Sequence, residues 1–110
     1  MSKSGNVRWK TEIPKKLYYK INKYVKTYGV PRSYFINYGA DALSLKYKYN
    51  QDFPDPDTLY RFSAEDEAKL VPWEVVLPDD EARGYDEFIK WYGVTGRDVL
   101  AAALYAFSGE

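Results

Sequence analysis

The sequence contains no cysteine and no histidine among its 110 residues, and these absences exclude several classes of protein. Without cysteine there are no disulfides and no thiolate chemistry, and without histidine the usual zinc sites are excluded as well. The sequence also has no Gly-rich phosphate loop, and its carboxylates do not form a recognisable catalytic site. We therefore predict that the chain is not an enzyme, with no catalytic residue, no metal, no cofactor and no small-molecule substrate.

Long apolar runs are missing too. No stretch approaches the roughly 18 residues that a membrane helix needs, and the opening Met-Ser-Lys-Ser-Gly lacks the apolar segment of a signal peptide. We expect no membrane contact and a cytoplasmic location. An apolar fraction of 45 % and an aromatic fraction of 18 % are enough to build one compact core.

The net charge of zero conceals a strong asymmetry along the chain. Residues 1–50 carry eleven Lys and Arg against two acids, a balance of +9, whereas 51–70 and 71–110 have balances of −4 and −5. A basic half of this kind favours a nucleic acid or another acidic partner. A basic face that simply contacts solvent is the common alternative.

The sequence repeats itself with an offset of 64 residues. Residues 7–43 align on 71–107 without a gap, and eight of the 37 positions are identical. The identical pairs are Val7 and Val71, Trp9 and Trp73, Pro14 and Pro78, Lys26 and Lys90, Tyr28 and Tyr92, Gly29 and Gly93, Val30 and Val94, and Ala42 and Ala106. Chance can produce eight identities in a Tyr- and Lys-rich chain, but the Trp, Pro and Gly matches share one register. We infer two copies of one supersecondary unit.

Each copy reads as strand, helix, helix. Alternation over residues 7–13 predicts a half-buried strand, and Pro14 ends it. Apolar residues at helical spacing then lead to Gly29, and Pro31 opens a second helix. The predicted apolar face of the first helix comprises Leu17, Ile21, Tyr24, Val25 and Tyr28. We place copy one at 7–49, a linker with a short acidic helix at 50–70, and copy two at 71–108.

The string Val7–Pro14, followed by Leu17, Ile21, Val25, Gly29, Val30, Arg32-Ser33, Ile36 and Ala40, resembles the ribbon-helix-helix superfamily of MetJ/Arc type. The resemblance covers residues 7–43 and, more loosely, 71–107. Family members are usually dimers of one copy per chain, and tandem copies occur in transcription regulators of filamentous archaeal viruses. It implies a mainly α fold with a short two-stranded antiparallel ribbon that enters the DNA major groove. The implied function is sequence-specific regulation of transcription, in the host cytoplasm if the protein is viral.

The resemblance also implies roles for individual residues. The outward strand residues of copy one, Arg8, Lys10 and Glu12, would read base edges. Since Pro31 has no N–H group, the backbone of Arg32 and Ser33 would bind a phosphate at the start of the second helix. Further phosphate contacts are implied for Lys15, Thr95, Gly96 and Arg97. The outward strand residues of copy two, Pro72, Glu74 and Val76, offer no comparable donors.

Two arrangements of the copies remain open at this point. In a pseudo-dimer the two strands of one chain pair and bring Lys10 near Glu74, and the long linker favours this arrangement. In an intertwined homodimer each copy pairs with its equivalent in another chain, which places basic strands together. Self-association, as a homodimer or as a larger assembly on DNA, is predicted in both cases.

Two other functions also remain open. One is a protein-interaction module, antitoxin-like or a viral adaptor, whose acidic C-terminal half docks a partner together with the linker Asp55–Glu67. The other is a single-stranded nucleic-acid binder that uses Tyr18, Tyr19, Tyr24 and Tyr47, although most of these tyrosines fit helix core or rim positions. Duplex titration and recovery of a bound protein distinguish the three functions.

Overall fold

The protein, described here by a computed structural model over residues 5–52, 54 and 64–108, is mainly helical with one two-stranded sheet. The prediction of a mainly α fold with a short antiparallel ribbon is confirmed at this level. Ten of the 21 residues of the predicted linker, Asp55 among them, lie outside the described residues. In chain order the elements are β1 (Asn6–Pro14), α1 (Lys15–Tyr28), α2 (Arg32–Tyr47), α3 (Ala64–Ala68), β2 (Leu70–Pro78), α4 (Asp79–Tyr92) and α5 (Gly96–Ser108).

The 64-residue repeat is visible in the bounds of these elements. The strands begin at residues 6 and 70, the helices after them at 15 and 79, and the next helices at 32 and 96. Helices α1 and α4 each end at a glycine, Gly29 with φ 64° and Gly93 with φ 67°. In this left-handed conformation a side chain is disfavoured, which explains why glycine occupies both positions.

Strands β1 and β2 of one chain pair antiparallel along their whole length, with Lys10 opposite Glu74 at the centre. One backbone hydrogen bond closes each end of the ribbon in the same way. The Lys15 N–H donates to the Lys69 carbonyl at 3.1 Å, and the Asp79 N–H donates to the Gly5 carbonyl at 3.0 Å. Asp79 and Lys69 are the residues that lie 64 positions after Lys15 and Gly5. Each of the two hydrogen bonds is therefore the equivalent of the other in the repeat. The chain therefore has an internal pseudo-twofold axis through the ribbon.

The ribbon buries one face and exposes the other, as the alternation predicts. Trp9 and Ile13 of β1 are buried together with Trp73, Val75 and Leu77 of β2. The opposite face, here called the outer face, consists of Arg8, Lys10, Glu12, Pro72, Glu74 and Val76. The burial of large apolar side chains on one side thus leaves the charged side chains of β1 toward solvent.

Helices α2 and α5 supply most of the helical core. The buried apolar residues of α2 include Phe35, Ile36, Ala40 and Leu43. Helix α1 buries only Leu17 and Ile21, and α4 buries only Ala82. The prediction that Tyr28 faces the core is wrong. Tyr28 is the last residue of α1 and is 65 % exposed, and its ring contacts the ring of Tyr24. Within the described ranges no helix combines the length and apolarity of a membrane span.

Candidate nucleic-acid interface

The outer face of the ribbon carries one ion pair between the two strands. Arg8 Nε lies 3.1 Å from Glu74 Oε1, and 69 % of the Arg8 side chain is exposed. Lys10 lies opposite Glu74 in the register, as predicted, but Arg8 is the residue that pairs with this carboxylate. Exposed pairs of this kind contribute about 0–1 kcal/mol to stability, so the fold does not depend on it. Within the described part of the chain Lys10 forms no ion pair and faces solvent.

The geometry of this pair leaves the donor edge of Arg8 open. Glu74 takes the Nε group, while Nη1 and Nη2 carry the parallel N–H donors of the guanidinium fork. The carboxylate therefore holds Arg8 on the outer face without occupying the edge that can bind a planar acceptor pair. Glu12 is exposed at the far end of the same strand face, opposite Pro72.

The start of α2 lies beside the outer face and has no side-chain cap. Pro31 is the N-cap residue, and its carbonyl accepts the Phe35 N–H at 3.0 Å. Helix geometry leaves the N–H groups of Arg32, Ser33 and Tyr34 without an intrahelical acceptor, at the positive end of the helix dipole. Between this helix start and the ribbon is an open cleft of about 520 Å³, lined by Arg8, Arg32, Ser33, Glu74, Val75 and Val76.

The Arg32 side chain attaches α2 to the ribbon. Its Nη1 donates to the backbone carbonyl of Glu74 at 2.8 Å, and its Nη2 donates to Asn22 Oδ1 at 3.2 Å. The guanidinium lies 5.4 Å from the ring centroid of Trp73, a cation–π distance. Hydrogen bonds from Asn22 and Arg32 lower the pKa of the Tyr18 phenol. The Arg32 side chain thus positions the helix start, and its backbone N–H is left without an intrahelical acceptor.

The two tryptophans of the repeat differ because of this arginine. Trp9 Nε1 donates to Asp86 Oδ1 at 2.9 Å. The position equivalent to Asp86 in copy one is Asn22, but its oxygen accepts from Arg32. Trp73 Nε1 is buried and has no acceptor among the described residues. The counterpart of the Trp9–Asp86 hydrogen bond is therefore absent at Trp73, at a cost of about 1–3 kcal/mol for a buried N–H without an acceptor, and Asn22 accepts from Arg32 instead.

The start of α5, by contrast, is capped within the chain. The Thr95 N–H donates to Asp98 Oδ2 at 2.9 Å, and the Asp98 N–H donates to Thr95 Oγ1 at 3.1 Å. This is a reciprocal capping box. Gly96 is buried against Thr11, where a Cβ atom would overlap the threonine side chain. An acidic side chain therefore lies at the start of this helix and accepts the N–H of its N-cap residue, Thr95.

The acidic helix α3 lies beside the start of α5 and of α1. Arg97 Nη1 pairs with Glu67 Oε2, and Lys16 Nζ lies 3.7 Å from Asp66 Oδ2. Lys15, in contrast, is exposed at the end of the ribbon, with its Nζ 5.8 Å from the ring centroid of Tyr19. Of the residues implied as phosphate ligands in copy two, Arg97 is thus neutralised inside the chain.

The structure brings together Arg8, Arg32 and Ser33 around one cleft, and separates them from Thr95, Gly96 and Arg97 at the other helix start. Comparison with protein-family models, curated proteins and solved structures gives no match. The sequence places Val76 on the outward side of β2 but assigns it no role; it lies opposite Arg8 and is 56 % exposed. The sequence feature that could have indicated a role for Val76 is an apolar residue at an outward strand position, where a polar residue is usual.

Proposed function

We propose that the chain is a tandem ribbon-helix-helix protein that binds double-stranded DNA sequence-specifically and regulates transcription without catalysing a reaction. The observation that carries the proposal is the outer face of the ribbon, where the exposed Arg8 and Lys10 lie beside the uncapped start of α2. A two-stranded ribbon fits the major groove of B-DNA, which is about 12 Å wide. Cationic side chains in the groove and N–H donors at its flank are the two kinds of contact that such a complex needs.

The outer face supplies contacts for different bases. Arg8 directs Nη1 and Nη2 at O6 and N7 of guanine, and Lys10 donates to the same acceptors. Glu12 accepts from N4 of cytosine. Val76, opposite Arg8, offers apolar contact to the methyl group of thymine. These contacts come mainly from β1, because Pro72 and Glu74 of β2 have no donor to offer in the groove.

Phosphate binding is assigned to copy one. The N–H groups of Arg32, Ser33 and Tyr34 lie at the positive end of α2, where the helix dipole favours an anion. Lys15 adds a positive charge at the end of the ribbon. We assign a smaller contribution to the start of α5, because the Asp98 carboxylate there repels an anion and Arg97 already pairs with Glu67.

Selection and titration of duplex DNA test this proposal. We expect a pool of random duplexes to yield an enriched motif, because base contacts discriminate between sequences. The affinity for that motif, measured by fluorescence anisotropy, should fall as salt rises, with a slope of about −0.9 for each phosphate neutralised. Affinity that is independent of salt, or a selection that enriches no duplex, would contradict the proposal.

The substitution Tyr34→Asp places in the first turn of α2 the acid that α5 has in its first turn, because Tyr34 and Asp98 occupy equivalent positions 64 residues apart. The fold should persist, since Tyr34 is 59 % exposed and an acid in the first helical turn suits the dipole. We expect weaker binding to every duplex alike and a salt slope smaller by about 0.9, because the phosphate is repelled. The matched control is Tyr34→Asn, which is uncharged. A change in sequence preference at constant salt slope would be the contrary result.

A further inference from the structure

Helices α1 and α4 carry equivalent outward stripes of opposite charge. The stripes occupy the same four positions of each helix, spaced by four, three and four residues, and every member is exposed. The basic stripe of α1 consists of Lys16, Lys20, Lys23 and Thr27, and the acidic stripe of α4 consists of Asp80, Gly84, Glu87 and Trp91. The pseudo-twofold axis thus relates a cationic surface to an anionic one.

The charge of the whole helices follows the same division. Helix α1 contains five lysines and no acid, whereas α4 contains five acids and two basic residues. Helix α1 follows the end of β1, and α4 follows the end of β2, so the antiparallel register places the two helix starts at opposite ends of the ribbon. Each molecule therefore presents a basic stripe near one end and an acidic stripe near the other.

The acidic stripe ends at the most exposed large apolar residue of the described chain. Trp91 is 82 % exposed, while the equivalent position in α1 is Thr27. Tryptophan combines a large apolar surface with an N–H donor and is enriched at the centres of protein interfaces. Two acids on the same helix face as an exposed tryptophan indicate a docking site for a basic helix.

We propose that the occupant of the acidic stripe is the basic stripe of a second copy of this chain. The second copy carries three lysines on a helix of the same length, at three of the four equivalent positions, and Lys16 among them also lies 3.7 Å from Asp66 of its own chain. Contact between α4 of one molecule and α1 of the next is heterologous and leaves a further acidic and a further basic stripe open. It therefore builds open chains or rings of molecules rather than an isologous dimer. The contact needs no DNA and is independent of the proposed function.

The strength of the contact follows from its chemistry. The charges on both stripes are exposed, so they contribute more to the specificity of the contact than to its affinity. Salt screens them. Burial of Trp91 supplies a contribution that salt does not screen. We expect a weak association that appears with rising protein concentration and is weakened at high salt.

Sedimentation equilibrium of the full chain without DNA tests the proposal. We expect the mass to rise with concentration at low salt, and Lys23→Glu and Glu87→Lys each to weaken association about tenfold or more, because like charges then meet. An equimolar mixture of these two variants should associate again, since each supplies the charge that the other lost. Trp91→Ser should weaken association at low and at high salt.

The control is Lys48→Glu, which makes the same change of charge at an exposed position outside both stripes and should associate like the parent chain. Circular dichroism confirms that each variant is folded. A parent chain that stays monomeric at every concentration would overturn the inference. So would single variants that associate normally, or a mixture that remains monomeric, because a contact between α1 and α4 requires both results.

Discussion

Replacing Arg8 and Lys10 together by alanine should remove most of the discrimination between duplex sequences while the protein stays folded. Both side chains lie on the outer face, and Arg8 is 69 % exposed, so neither supports the core. A well-formed contact to a base contributes about 1–3 kcal/mol of discrimination, which corresponds to roughly a tenfold to hundredfold preference for each residue. Phosphate contacts at α2 remain, and binding that ignores sequence should persist at low salt.

The measurement compares affinity for the selected duplex with affinity for a scrambled one at fixed salt. The matched control is Lys26→Ala together with Lys48→Ala, which removes the same charge from exposed positions away from the ribbon. The control should lower both affinities slightly and keep their ratio. If the Arg8 and Lys10 variant discriminates like the parent chain, the ribbon does not read bases, and the proposed function loses its central contact.

The substitution Gly39→Ala should be strongly destabilising although it adds one methyl group. Gly39 is buried in α2 where this helix meets α5, and a Cβ atom there would overlap the backbone carbonyl oxygen of Val99. A backbone atom cannot rotate away, so the two core helices must separate. Overpacking of this kind costs about 1–3 kcal/mol or more, which exceeds the gain of about 1 kcal/mol that alanine brings to a helix. Urea denaturation should show a loss of about 2 kcal/mol.

The same substitution at Gly84 provides the matched control with the opposite sign. Gly84 lies within α4, is exposed, and has open space where a Cβ atom would be built. Gly84→Ala should therefore stabilise the protein by about 0.5–1 kcal/mol through helix propensity alone. Equal effects at the two glycines would contradict the close approach of α2 and α5.

The strands, the helices and the repeat could be predicted because each has a local signal in the sequence. Alternation separates Trp9 from Arg8 and Lys10, Pro14 and Pro78 precede α1 and α4, and Gly29 marks a helix end. These features depend on backbone geometry and on the period of the hydrophobic pattern, which a short segment determines by itself. Because the sequence repeats, the prediction for the first half of the fold also applied to the second half.

The parts that could not be predicted depend on contacts between distant segments. Nothing local indicates that Arg32 contacts Glu74 and Trp73, which lie in the other copy, or that Arg97 pairs with Glu67 of α3. The same is true of the Arg8 pair, because a long side chain can choose a diagonal neighbour over the residue directly opposite. These contacts decide which candidate phosphate ligands are open, so the sequence alone could not separate Ser33 from Thr95.

The unlike strands of the ribbon have a consequence for any operator. A dimer of identical strands reads a palindrome and cannot tell one direction along the duplex from the other. In the proposed complex β1 and β2 present different side chains in a fixed register, so the two halves of the recognised sequence must differ as well. Each binding site would then admit a single orientation, and inverting the site would turn the acidic α4 toward the opposite flanking DNA.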